Sequence, residues 1–77
     1  MGYYKQIQMM NKSLESFIQR HKNTGATFDE LEYYLTNKFE VSANAIRKRL
    51  DLLVRLGKVK FENITKDESL GAYIWVT

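Results

Sequence analysis

The sequence predicts an α+β fold, three helices followed by a C-terminal β-hairpin, in one small domain. Three observations predict it. Apolar residues recur at helical spacing as far as Leu56, the period drops to two from Lys58 onward, and 77 residues admit a single core because domains run from about 50 to 250 residues.

The first helix is carried by Leu14, Phe17 and Ile18 at i, i+3, i+4 spacing, and the same register runs back through Met10, Ile7 and Tyr3. Its start lies either near Tyr3 or at Ser13. It stops near Asn23-Thr24-Gly25, where Gly25 can adopt the left-handed conformation and Lys22 suits the negative end of the helix dipole. A second helix opens at Thr27-Phe28-Asp29-Glu30: Thr27 caps the Glu30 amide while the Glu30 side chain reaches back, a reciprocal capping box. Phe28, Leu31 and Leu35 share its inner face, Tyr34 flanks them, Tyr33 points away, and the helix ends near Lys38.

Ser42 is a good N-cap for the third helix, whose Ile46, Leu50 and Leu53 form one stripe broadened by Ala43, Val54 and Leu56. Gly57 ends it. At 100° per residue the opposite face collects Asn44, Lys48, Asp51 and Arg55, with Arg47 on its shoulder. Val59 and Phe61 then alternate with Lys60 and Glu62, and Ala72-Tyr73-Ile74-Trp75-Val76 is β-branched and aromatic, so two strands are expected. The polar segment Thr65–Gly71 is the turn between them. Of the ten aromatic residues, Phe17, Phe28, Phe61 and Trp75 are expected to fill the core. Alternation leaves open which face of 72–76 turns inward. In organisation, residues 1–12 are an N-terminal extension of helix 1 and 13–77 the domain proper.

Composition narrows the chemistry. There is no cysteine and a single histidine, so no disulfide, thiolate metal site or zinc set is expected. His21 has no nucleophile tied to it by spacing and suits a surface or capping role. Glu30 with Glu32, and Asp67 with Glu68, read as solvated acids of a capping turn and a loop rather than an acid-base pair. Phosphate loops, nucleotide fingerprints and calcium loops are missing from the sequence. The expectation is a protein that is not an enzyme, with no cofactor, metal or small-molecule substrate. No apolar run approaches the roughly 20 residues that span a bilayer, and the first residues lack a signal-like apolar stretch. A cytoplasmic location without membrane contact is therefore expected.

The net charge of +3 is unevenly spread. Residues 42–60 carry six basic groups (Arg47, Lys48, Arg49, Arg55, Lys58, Lys60) against Asp51, a net of +5, while residues 28–41 hold −3. A basic segment of this kind is the electrostatic footprint of phosphate binding, because each neutralised phosphate releases condensed counterions. The plain alternative is a solvated helix face.

Helix, capped helix, basic helix ending in glycine, then hairpin resembles the winged helix-turn-helix family over roughly residues 13–77. The passages that carry the resemblance are TGATFDELEYYL, similar to the family's strand-turn and second helix, and VSANAIRKRLDLLVRLGKVKF. In the second passage Ile46, Leu50 and Leu53 match the core of the recognition helix, and Leu56-Gly57-Lys58-Val59 leads into the wing. The resemblance implies binding of double-stranded DNA by the third helix, about 42–56, in the major groove. By position, Ser42, Asn44, Ala45, Arg47 and Lys48 fall in the helix's N-terminal half. Arg47 or Lys48 can donate to guanine O6 and N7, Asn44 can pair with adenine, and Ser42 or the helix amides can meet a phosphate. Arg55, Lys58 and Lys60 are the expected phosphate contacts. Two features depart from the family: the wing tip holds Lys66 beside Asp67 and Glu68, and Asp51 sits on the exposed face, where pairing with Arg47 or Arg55 is expected over acceptance from cytosine N4.

Tyr3, Ile7, Met10, Leu14, Phe17 and His21 alternate steps of four and three, the seam spacing of a coiled coil. Tyr3, Ile7, Met10 and Leu14 are thus candidate homodimer contacts; the alternative is that only Leu14, Phe17 and Ile18 pack, with 1–10 docked loosely. The expected function is a small transcriptional or replication regulator. The alternative is a protein-interaction module docking on a polymerase, replication protein or other regulator, with RNA binding as a third reading. The richness in Lys, Asn, Ile and Tyr suits an AT-rich bacterial, phage or plasmid genome.

Overall fold

Helical periodicity becomes helix α1 over Gly2–Arg20, helix α2 over Phe28–Lys38 and helix α3 over Ala43–Arg55 in a computed structural model that describes residues 2–63 and 71–76. Strand β1 is the two-residue Ala26–Thr27, β2 is Val59–Asn63 and β3 is Gly71–Trp75. They form an antiparallel sheet in the order β1-β3-β2. The hairpin is therefore widened by a third strand: Ala26 pairs with Tyr73 and Thr27 with Ala72. This α+β arrangement is compatible with a small winged helix domain. The expected wing tip, Lys66 to Glu68, lies outside the described residues.

Local signals set the helix ends. At α2, the Thr27 oxygen accepts from the Glu30 amide at 3.1 Å and Glu30 Oε1 accepts from the Thr27 amide at 2.9 Å, closing the capping box. At α3, Ser42 Oγ accepts from the Ala45 amide at 3.2 Å. The other end of α3 is closed by Gly57 at φ +77°: its amide donates to Val54 O, and the Lys58 amide donates to Leu53 O at 3.0 Å. Those two bonds satisfy carbonyls that the helix leaves open, and they require the left-handed turn at Gly57. His21 stays local, its Nδ1–H donating to the Phe17 carbonyl at 2.8 Å while its ring stacks on Phe17.

The core is shared by every element. Met10, Leu14 and Ile18 of α1, Leu31 and Leu35 of α2, and Ile46 and Leu50 of α3 are fully buried, with Leu53 and Val59 nearly so. Cross-strand pairing of Phe61 with Tyr73 and Val59 with Trp75 fixes the inward face of β3: Tyr73 is buried and Trp75 packs on the core, while Val76 is exposed. Phe61 does not join them. It is 52% exposed, although its cross-strand partner Tyr73 is buried. At the start of the chain, α1 is continuous from Gly2 and Met10 is part of the core, so the chain from residue 10 onward is committed to the domain. No helix among the described residues is long and apolar enough to cross a membrane.

Candidate nucleic-acid interface

Helix α3 presents the candidate site. Its apolar stripe is turned into the core, which forces Asn44, Arg47, Lys48, Asp51 and Arg55 outward, and all five are exposed. Lys58, in the turn after α3, and Lys60 on β2 are also exposed. Among the described residues Lys48, Arg55 and Lys58 form no ion pair.

Two of the six basic groups are partly neutralised inside the chain. Arg49 turns toward α1, where Nε and Nη2 donate to Glu15 Oε2 at 3.2 and 2.5 Å. Its charge ties α1 to α3 and is not part of the outer face. Lys60 Nζ lies 2.9 Å from Glu62 Oε2, an exposed pair whose two members sit on the same side of β2. Such a pair is weak, so a phosphate can displace the carboxylate.

The exposed face of α3 has two unlike flanks. On one side Ser42, Asn44, Ala45 and Lys48 border an open groove of about 460 Å³ whose other wall is Tyr3, Tyr4, Ile7 and Asn11 of α1. Ala45 is half-buried there and packs on the core, so its methyl is withdrawn from the outward face. On the other side Arg47 meets an aromatic nook formed by Phe28, Phe61 and Tyr73. The Arg47 guanidinium lies over the Phe28 ring, 4.2 Å from its centroid, and Phe61 tilts against Tyr73 at 4.9 Å. A side chain on Gly71 would collide with the Phe61 ring, so glycine is what lets that ring lie across the sheet. Burial pushes the Tyr73 phenol above its ordinary value, with Arg47 opposing the shift and Asp51 adding to it.

The expected pairing of Asp51 with Arg47 or Arg55 is not made: among the described residues Asp51 has no ion-pair partner. Arg47 stacks on Phe28 instead. Of the candidate dimer residues, Met10 and Leu14 are fully buried in the chain's own core and Ile7 packs against it, leaving Tyr3 exposed. The seam spacing reflected packing within the chain from Ile7 onward. Sequence reasoning missed Phe28 as the partner of Arg47 and Glu15 as the partner of Arg49, because neither pair has a local spacing to betray it. Among the described residues no three His, Asp or Glu side chains cluster as metal ligands.

No protein-family model matches the chain, and neither a curated protein nor a solved structure is significantly similar to it.

Proposed function

We propose that the protein binds double-stranded DNA sequence-specifically, laying α3 in the major groove as a small transcriptional or replication regulator. The observation that carries this reading is the outward face of α3, where Arg47, Lys48 and Arg55 stand exposed, with Lys58 exposed in the turn that follows. An α-helix of about 10–12 Å diameter matches the roughly 12 Å width of the major groove. Arg47, Lys48 and Asn44 then face base edges, while Arg55, Lys58 and, after exchange of its partner, Lys60 face phosphates. The Ser42 oxygen accepts from the Ala45 amide, and its hydroxyl proton remains available to a phosphate.

Anisotropy titration with random duplexes at about 50 and 200 mM salt, followed by sequencing of the bound pool, tests the reading. Three cationic phosphate contacts give a slope of about −2.7 in log affinity against log salt, so affinity falls about 40-fold between the two conditions. Enrichment of one sequence is expected. Absence of binding at the lower salt refutes the proposal.

A homodimer would supply a second half-site, and with Met10 and Leu14 committed to the core it would have to form around Tyr3 and Tyr4. Sedimentation at micromolar concentration decides: a 9.1 kDa species throughout removes the dimer. The exposed Tyr3, Tyr4 and Tyr33 favour the second reading, a module that docks on another protein. That reading predicts DNA binding that is weak, indifferent to sequence and lost at the higher salt.

A further inference from the structure

Asp51 stands on the outward face of α3 in the middle of its basic residues, one turn from Arg47, Lys48 and Arg55. Each of these spacings favours a helical ion pair, yet among the described residues Asp51 takes none. The reason on the Arg47 side is visible: the Phe28 ring holds the guanidinium 4.2 Å from its centroid, on the flank of the helix rather than along it. An unpaired carboxylate facing a polyanion opposes binding to every duplex alike. A donor on the DNA that meets it turns this repulsion into a contact.

We infer that Asp51 is a base-reading residue, accepting a hydrogen bond from the N4 amino group of a cytosine, and that Phe28 positions Arg47 so that the carboxylate stays available. The inference rests on the DNA-binding reading above. Cytosine is favoured over adenine because adenine places the N7 acceptor beside its amino group, where it repels the second carboxylate oxygen. Guanine and thymine offer only acceptors at the corresponding edge.

The test uses the full chain and the duplex enriched from the random pool, with Asp51→Ala and Asp51→Asn beside the wild type. Both changes sit on an exposed helical position, so the fold tolerates them. Replacing one particular cytosine by thymine should weaken wild-type binding roughly 5- to 30-fold and leave Asp51→Ala indifferent at that position. Asp51→Ala should at the same time bind random duplex about 2-fold more tightly, because a repelling charge is gone. Asp51→Asn should move the preferred base at that position from cytosine to adenine, since a carboxamide can pair with both N6 and N7. Phe28→Leu, which frees Arg47 to pair with Asp51, should weaken the same cytosine preference, and Phe28→Tyr, which keeps the ring face, should retain it. If Asp51→Ala tightens selected and random duplexes equally, with no position losing its cytosine preference, the inference is overturned. A wild type that enriches no sequence overturns the DNA-binding reading itself, and this inference with it.

Discussion

Two glycines with nearly the same backbone and opposite surroundings allow strain and crowding to be weighed separately. Gly25 has φ +75° and Gly57 φ +77°. A Cβ at Gly57 meets nothing within 4 Å, whereas one at Gly25 falls 2.9 Å from Ala72 Cβ, 2.9 Å from Ile74 Cγ1 and 3.2 Å from the Tyr73 carbonyl oxygen. Ile74 can rotate aside; Ala72 has no rotamer to change, so β3 itself must move. The left-handed conformation costs alanine roughly 1–2 kcal/mol, partly offset by the smaller entropy of its unfolded chain, leaving about 1 kcal/mol for Gly57→Ala. Gly25→Ala adds an overpacking cost of roughly 1–3 kcal/mol, for a total of about 2–4 kcal/mol. A domain of this size has about 4–11 kcal/mol in all, so the second substitution removes a large share of it. Thermal and urea unfolding followed by circular dichroism read both. Gly57→Ala should lower Tm by about 4–8 °C and Gly25→Ala by at least twice as much. Equal losses would refute the claim that the chain before β1 is pressed against β3.

Other expectations follow from the same geometry. Lys58→Ala should reduce the salt slope of DNA binding by about 0.9, while Arg49→Ala should leave the slope unchanged and cost about 1 kcal/mol of stability through its lost pair with Glu15; equal slopes for the two variants would contradict the assignment. Met10→Ala should cost about 2–5 kcal/mol in urea unfolding because the side chain is fully buried, whereas Tyr4→Ala, at an exposed site, should stay within about 0.5 kcal/mol. A silent Met10→Ala would mean that this part of α1 is not docked. Tyr73 ionises above its ordinary value in the folded chain, so its contribution is complete below about pH 10 and is lost as pH rises toward the folded value. Tyr73→Phe should therefore lose stability less steeply than the wild type across that alkaline window, measured by urea midpoint against pH.

Much of this fold is legible because its signals are local. A capping box joins groups three residues apart, a C-terminal glycine turn closes within six residues, and apolar periodicity marks the inner face of each helix without reference to any other. Thr27 with Glu30, Ser42, Gly57 and the stripe Ile46, Leu50, Leu53 all stand where those rules put them. The outward position of Asn44, Lys48, Asp51 and Arg55 follows from the same periodicity, since turning one face inward turns the other out.

Tertiary packing decided what each outward charge and aromatic ring does. Arg49 and Glu15 are 34 residues apart, and their pairing exists only because α1 crosses α3 at that height. The same crossing buries Met10 and Leu14, so a stripe with coiled-coil spacing is spent inside the chain; periodicity reports that a face is covered and is blind to what covers it. Arg47 chose between a carboxylate on its own helix and an aromatic face on α2, and the packing of α2 beside α3 brought the ring within reach. Phe61 has the alternation of an inward residue yet stands half in solvent, which alternation alone cannot show. Local chemistry thus determined the elements and the sidedness of α3, and long-range geometry determined which of its charges remain to meet a partner.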